Sequence, residues 1–212
     1  MNDLALRGGD PVTELPASTA PERVLEAWLR AVVETPGLTA LDLDAARSML
    51  VDDALRAVPV VAGYEGPIVD VGSGNGSPGI PIALELPTRS VVLLEAEAKR
   101  CAFLERWAPP NARVVNGRAE EQDTDWAGVA LAKALAPPPV AAEWCLPLVR
   151  PGGVAVFWVG ENADLAALGR AASRLAAEPV ESLPGLAVLA KTGPTPAGFP
   201  RRPGIARKRP LS

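Results

Sequence analysis

Four glycines within eight residues follow the apolar run Ile68–Val71, and they constrain the fold more than any other feature of the chain. They are Gly72, Gly74, Gly76 and Gly79. Glycine adopts positive φ freely and lets the backbone come close to a ligand. Ser77 is a favourable N-cap and Pro78 suits a first helical position, so we predict a helix from Ser77. A strand that turns through glycine into a helix is typical of an α/β fold with a nucleoside-bearing cofactor.

Asp70 indicates which cofactor this is. The carboxylate comes two residues before the first glycine, where the strand ends. It can face the methionine ammonium of S-adenosylmethionine, whereas it would repel a pyrophosphate. The glycine spacing also matches pieces of a dinucleotide fingerprint, which alone is a weak signal. The alternative is a glycine-rich β–α turn without a ligand.

A second acid supports a nucleoside ligand. Glu95 ends the next apolar run, 19 residues after Gly76. A doubly wound fold places at this distance the acid that binds the ribose hydroxyls, and a carboxylate can accept both of these hydrogen bonds. The alternative role for Glu95 is an acid favoured at a helix start by the helix dipole.

Strands and helices alternate from Gly66 onward, which predicts a mostly parallel sheet covered on both faces. The predicted strands cover residues 68–71, 91–95, 112–116, 129–132, 154–159, 180–183 and 186–191. The predicted helices cover residues 22–33, 43–61, 77–86, 98–108, 140–149 and 162–177, and Pro59 should break the last turn of the second. Only Pro184 and Gly185 separate the last two strands, so we expect a hairpin and an antiparallel C-terminal edge.

The composition and the pattern of helices and strands predict three regions of the chain. Residues 1–62 form an N-terminal helical extension whose first 20 or so residues are disordered or loosely packed. Residues 63–192 form the cofactor-binding domain, and residues 193–212 form a basic C-terminal tail.

Composition excludes several function classes. The 212 residues include no histidine, which excludes Ser-His-Asp and Cys-His nucleophile systems and most zinc sites. Cys101 and Cys145 lie far apart and fit reduced thiols at apolar helix positions, so we expect no metal. The apolar runs are too short to span a membrane, and the N-terminus lacks the pattern of a signal peptide. We therefore expect a cytoplasmic protein with no membrane contact.

Charge is distributed unevenly along the chain. The net charge is −4, yet five cations fall within nine residues near the C-terminus: Arg201, Arg202, Arg207, Lys208 and Arg209. A basic tail on an acidic body predicts salt-dependent contacts with RNA phosphates, and Lys99 and Arg100 are further candidates. A solvated tail that only improves solubility is the alternative.

Six motifs follow one another along the chain. They are DVGSGNGSPGIP at 70–81, LLE at 93–95, KRCAFLE at 99–105, NGRAEE at 116–121, AKALAP at 132–137 and FPRRPGIARKRPL at 199–211. Together they resemble one known family, the bacterial small-subunit ribosomal RNA guanine-N7 methyltransferases, also called glucose-inhibited division protein B (RsmG/GidB). The similarity covers roughly residues 37–211. The Pro-Gly-Ile-Pro continuation of the first motif is more specific than its glycines.

The resemblance implies a Rossmann-like class I S-adenosylmethionine-dependent methyltransferase fold and methyl transfer to guanine N7 in 16S ribosomal RNA, by a protein that we expect to be a monomer. It implies that Gly72 and Ser77 line the methionine and ribose side of the cofactor, that Ala119 and Glu120 meet the adenine, and that Lys133 takes the place of a cofactor-side arginine. By itself, Glu120 would be read as a solvated acid. With Asp70, Gly74 and Glu95, these residues form the predicted cofactor site.

Guanine N7 suits an enzyme without histidine. It carries an exposed lone pair and loses no proton on methylation, so we predict no general base and no catalytic side chain. Catalysis then consists of holding the reactants in line.

The chain departs from the family pattern at several polar positions. Leu50 stands in place of a histidine, Lys133 of an arginine, Val159 of a lysine and Ser77 of an apolar residue, and Gly37-Leu38-Thr39 lacks the usual asparagine. These departures leave two alternatives open. One is a methyltransferase of another RNA or of a small molecule. The other is a catalytically weak cofactor-binding module associated with the ribosome.

Overall fold

The computed structural model describes residues 20–180 and 183–211, and a seven-stranded sheet forms its centre. The strands are β1 (Ile68–Val71), β2 (Val91–Glu95), β3 (Ala112–Asn116), β4 (Ala127–Ala132), β5 (Val149–Trp158), β6 (Ala177–Val180) and β7 (Leu186–Lys191). They lie in the order β3-β2-β1-β4-β5-β7-β6. Only β7 runs antiparallel to its neighbours, β5 and β6. The predicted antiparallel pairing of the last two strands is confirmed, but β6 covers residues 177–180 instead of 180–183, so the connection is longer than Pro184-Gly185. The antiparallel strand β7 lies inside the sheet, and β6 forms the edge.

The helices flank this sheet. They are α1 (Ala20–Glu34), α2 (Leu43–Ala46), α3 (Asp53–Leu55), α4 (Val58–Ala62), α5 (Gly79–Glu85), α6 (Ala98–Trp107), α7 (Pro138–Cys145), α8 (Leu165–Arg174) and α9 (Ile205–Lys208). A π-helical turn (Arg47–Asp52) joins α2 to α3, and 3₁₀ turns cover Ala119–Glu121 and Leu146–Leu148. The disorder predicted for the first 20 or so residues concerns residues 1–19, which lie outside the described residues, as do residues 181 and 182 of the sixth predicted strand.

Side chains alternate across the strands, so the sheet buries both of its faces. Ile68 and Leu93 point into a core with α1 and α5, while Val69 and Leu94 point into a second core with α7 and α8. Both faces of the sheet are thus covered by helices, as the alternating pattern predicts.

Several predicted helices are wrong in detail. The one predicted over residues 140–149 ends at Cys145 because β5 begins at Val149, and the one predicted over residues 162–177 is shorter because β6 begins at Ala177. The helix predicted over residues 43–61 is interrupted by the π-helical turn and again after α3, and Pro59 lies in the first turn of α4. Proline is tolerated there because first-turn amides have no partner within the helix. The helix predicted from Ser77 starts at Gly79, and the Ser77 hydroxyl donates to the carbonyl oxygen of Leu50 (2.7 Å) instead of capping the helix.

The C-terminal segment packs against the domain. Ala206 and Leu211 are 1% and 2% exposed and belong to the core on the α7 side. Residues 199–211 therefore form part of the folded body and not the free tail that composition suggests.

Candidate functional site

A cavity opens where β1 and β2 end, beside the glycine loop. Its walls include the loop after β1, the end of β2, the turn after β3 and the segment after β4. Its lining residues include Gly72, Glu95, Arg100, Ala119, Glu120, Leu135, Trp144, Gly204 and Arg207. Because the carboxyl ends of parallel strands meet here, this is the expected position of a ligand in such a fold.

Gly72 gives the cavity its shape. Its φ is +71°, and a Cβ atom at this position would lie 2.3 Å from Cδ1 of Leu135. Its amide donates to the carbonyl oxygen of Leu94 (2.7 Å), which fixes the loop to β2. Gly72 therefore adopts a conformation that favours glycine and packs its backbone closely against Leu135 at the edge of the cavity.

Glu95 faces the same cavity and holds the glycine loop. Its Oε2 accepts a hydrogen bond from the Gly74 amide (2.9 Å), and its Oε1 accepts one from the Glu97 amide (2.8 Å). Each carboxylate oxygen has a second lone pair, so ribose hydroxyls can bind without displacing either amide. The contact with the Glu97 amide, directly before α6, fits the helix-start role, and ribose binding by Glu95 stays a prediction.

Asp70 lies beneath the loop, and the cavity-lining residues do not include it. It is 1% exposed, and its Oδ2 accepts a hydrogen bond from the Gly79 amide at the start of α5 (3.1 Å). Burial raises the pKa of Asp70 from 3.8 to about 7, while the hydrogen bonds from Ser73 and Gly79 oppose this shift. Asp70, which was predicted to face the methionine ammonium, thus lies under the glycine loop and holds it in position.

Ala119 and Glu120 follow β3 and lie at the cavity, as expected for residues that meet an adenine. Ala119 is buried, and Oε1 of Glu120 accepts a hydrogen bond from the Gly204 amide (3.3 Å). Glu120 is therefore not the solvated acid that its sequence context alone suggests.

Ser77 and Lys133 bind the N-terminal helices and do not line the cavity. Lys133 donates to the carbonyl oxygen of Met49 and lies 3.0 Å from Oδ2 of Asp53, while Ser77 binds the carbonyl oxygen of Leu50. Met49 and Leu50 belong to the π-helical turn. Two residues that the family resemblance assigns to the cofactor thus fix this turn against the ends of β1 and β4.

The basic residues near the C-terminus separate into two groups. Arg201 pairs with the buried carboxylate of Glu143, and Arg207 lies over the Trp144 ring, 5.1 Å from its centroid. Arg202, Lys208 and Arg209, the other predicted RNA contacts, are exposed, as Arg207 is, but unlike Arg207 they do not line the cavity. Arg100, a further candidate, lines the cavity and pairs with Glu97 (3.0 Å).

A second cavity adjoins the first at the ends of β4 and β5. The two share Ala134 and Leu135, and Val159 and Phe157 line the second. Val159 occupies the position where the family usually has lysine, so this departure removes a positive charge from the wall. Three lining residues of the first cavity were not predicted from the sequence: Leu135, Trp144 and Gly204. Each follows or belongs to an element far along the chain from the glycine loop, and only the tertiary structure brings it to the cavity.

The cysteines take no part in either cavity. Cys101 on α6 and Cys145 on α7 are buried and free, and burial raises the pKa of both thiols. Within residues 20–180 and 183–211, no three His, Cys, Asp or Glu side chains group so that they could hold a metal ion. Across the same ranges, no helix has the length and apolarity needed to cross a membrane.

Comparison with known proteins decides the family. A family model described as rRNA small subunit methyltransferase G, GidB, matches residues 37–182. The chain belongs to this family. A ribosomal RNA small subunit methyltransferase G from Rubrobacter xylanophilus is 38% identical over 194 residues, covering 80% of this chain and 71% of that protein. One from Synechococcus elongatus is 36% identical over 172 residues, with 70% of each chain covered.

Solved structures agree with this fold. The 16S rRNA N2 methyltransferase RsmC of T. thermophilus, in complex with AdoMet and guanosine, has a TM-score of 0.52 at 17% identity, over 69% of this chain and 40% of that one. The O-methyltransferase NcsB1, in complex with S-adenosylmethionine, has a TM-score of 0.51 at 21% identity, over 70% of this chain and 57% of that one. At these identities the likeness shows a shared methyltransferase fold.

Proposed function

We propose that this protein transfers the methyl group of S-adenosylmethionine to N7 of a guanine in 16S ribosomal RNA. The observation that carries the proposal is the match of residues 37–182 to the rRNA small subunit methyltransferase G family, on a fold with a glycine-bordered cavity at the strand ends. Relatives with this name share more than a third of their residues with the chain over most of its length.

The residues at the cavity fit S-adenosylmethionine. Gly72 lines the cavity with its backbone at a positive φ, and the Glu95 carboxylate lines the same cavity with acceptor capacity for ribose hydroxyls. Ala119 offers an apolar contact and Glu120 an acceptor for an adenine amino group. Asp70 and Gly74 act on the cofactor through the shape of the loop, because both are tied into its hydrogen bonds.

The chain's own groups suit a reaction that needs no base. When bound, S-adenosylmethionine supplies an electrophilic methyl group. Of the acids that line the cavity, Glu95 already accepts two backbone amides and Glu120 accepts one. Asp70 does not line the cavity and is buried beneath the loop. A guanine N7 has no proton to give up, so these residues need only hold the two reactants close and in line, which lowers the barrier by proximity.

Mass spectrometry of ribosomal RNA tests the proposal. The 16S RNA of a strain that lacks the gene should lose one 7-methylguanosine, and the wild-type gene should restore it. Small subunits from that strain should also accept a labelled methyl group in vitro from the purified protein. The modified RNA should then break at one site after borohydride and aniline, because N7 methylation weakens the bond between base and sugar.

Other outcomes would favour the alternatives. A methyl group on another atom or another RNA would make this a methyltransferase of different specificity. Cofactor binding without any change in 16S RNA would favour the ribosome-associated binding module.

A further inference from the structure

The segment of residues 199–211, here called the C-terminal segment, is fixed against the domain at several points. Arg201 pairs with Glu143, a carboxylate on α7 that is 1% exposed, and also donates to the carbonyl oxygen of Arg209 (2.8 Å). Ala206 and Leu211 are buried in the core beneath. The position of the segment is thus set by a buried ion pair and by apolar packing.

The inner side of this segment forms a wall of the first cavity. Gly204 and Arg207 both line it, and the Gly204 amide binds Glu120. The Arg207 guanidinium lies over Trp144 at a distance that permits a cation–π contact. Arg207 therefore stands beside the residues proposed above to meet the adenine.

Trp144 adds an unused donor at the same wall. The residue is 8% exposed and lines the cavity. Its Nε1 is buried and has no hydrogen-bond partner among the described residues. Buried donors are nearly always paired, so the unpaired N–H is unusual, and a ligand that binds beside Trp144 would bring the acceptor that the described residues do not supply.

We propose that Arg207 and Trp144 bind the adenine end of S-adenosylmethionine, so that the C-terminal segment completes the cofactor site. This inference rests on the proposed function. Adenine offers ring nitrogens as acceptors and an amino group as a donor. Trp144 and Arg207 carry donors, and the Glu120 carboxylate accepts, so the wall presents both kinds of group that an adenine requires.

Calorimetry with S-adenosylmethionine tests this assignment. Arg207→Ala should weaken binding about tenfold, and Trp144→Phe, which keeps an aromatic ring but removes the N–H, should weaken it severalfold. Arg207→Lys should fall between wild type and Arg207→Ala, because it keeps the charge but loses the planar guanidinium. Lys208→Ala is the matched control. This variant removes one positive charge from the residue that follows Arg207 on α9. Because Lys208 is exposed and does not line the cavity, the affinity of the Lys208→Ala variant for S-adenosylmethionine should equal that of wild type.

Two readouts separate this inference from the proposed function. Thermal unfolding of each variant shows whether the fold is intact. If Arg207→Ala is unstable, the cofactor affinity of Arg207→Lys tests the role of Arg207 in its place. If wild type binds S-adenosylmethionine and the Arg207 and Trp144 variants bind it equally well, the inference is overturned while the proposed function stands. If wild type does not bind S-adenosylmethionine at all, the proposed function fails as well.

Discussion

The guanidinium of Arg201 lies against the carboxylate of Glu143, although 58 residues separate them in the chain. The hydrogen bond to Glu143 raises the pKa of Arg201, against a smaller opposing effect of burial. Glu143 is 1% exposed, and Arg201 is the cation that compensates its burial. An arginine that composition assigns to RNA binding thus has a structural role.

Loss of this pair should destabilise the protein. Arg201→Ala leaves the Glu143 charge buried and unpaired, and we expect the free energy of unfolding in urea to fall by about 3–5 kcal/mol. Arg202→Ala removes an exposed neighbouring arginine and should change it by less than about 0.5 kcal/mol. Equal stability of the two variants would contradict a supporting role for the pair.

Asp70 should make stability depend on pH in an unusual direction. Its pKa is about 7 in the folded protein and close to 3.8 when exposed, so between these values only the folded state keeps the proton. The stabilisation is complete below pH 3.8 and is lost as pH rises toward 7. Asp70→Asn keeps an oxygen for the Gly79 amide but does not titrate.

Urea unfolding of wild type and Asp70→Asn at a series of pH values isolates this effect. The stability of wild type relative to the variant should fall between pH 4 and 7, by an amount on the order of a few kcal/mol, and stay level above about pH 8. A constant difference across this range would show that Asp70 is ionised throughout.

Much of the fold could be predicted from the sequence because its signals are local. β1, β2, β3 and β7 have the predicted bounds, since each is a short apolar run that ends at a glycine, an acid or a turn. β5 was predicted too short. It begins at Val149 and continues through Arg150-Pro151-Gly152, where the residue types indicate a loop. This stretch belongs to a strand because Val149 pairs with Ala127, which only the tertiary structure reveals.

The candidate site also contains residues whose position could be predicted from the sequence and residues whose position could not. The glycine loop and Glu95 were predicted to lie together, and their hydrogen bond confirms that proximity. The partners of Ser77 and Lys133 could not be predicted, because Leu50 and Met49 lie 27 and 84 residues away in sequence. A π-helical turn that offers carbonyl oxygens to both residues leaves no pattern in the residue types.

Glu95 should determine cofactor affinity. Glu95→Ala removes the acceptor for ribose hydroxyls and leaves the Gly74 and Glu97 amides without their present partner, so we expect calorimetry to show a loss of about 1.5–3 kcal/mol in S-adenosylmethionine binding. Glu105→Ala, at an exposed position on α6, is the control and should bind as wild type does. An unchanged affinity of Glu95→Ala would assign this residue to the start of α6 alone.

The glycine loop should not tolerate side chains. Gly72→Ala places a methyl group against Leu135, and Gly74→Val introduces a branched side chain at a φ of +57°. Both strain the loop by about 1–3 kcal/mol and should reduce or abolish S-adenosylmethionine binding in calorimetry. Gly169→Ala on α8 makes only ordinary contacts and should retain full affinity. A loop variant that folds and binds like wild type would place the cofactor elsewhere.

The exposed cations of the C-terminal segment should carry its RNA contacts. Replacement of all five basic residues would also break the Glu143 pair and alter the cavity wall, so the informative variant changes Arg202, Lys208 and Arg209 to serine. Filter binding of a small-subunit RNA fragment should show weaker affinity. The slope of log K against log salt should become flatter by about 2–3, because three phosphate contacts are lost. Cofactor affinity should stay at the wild-type value, since none of the three lines the cavity. If RNA affinity and its salt slope survive this replacement, the segment only improves solubility and the RNA binds another surface.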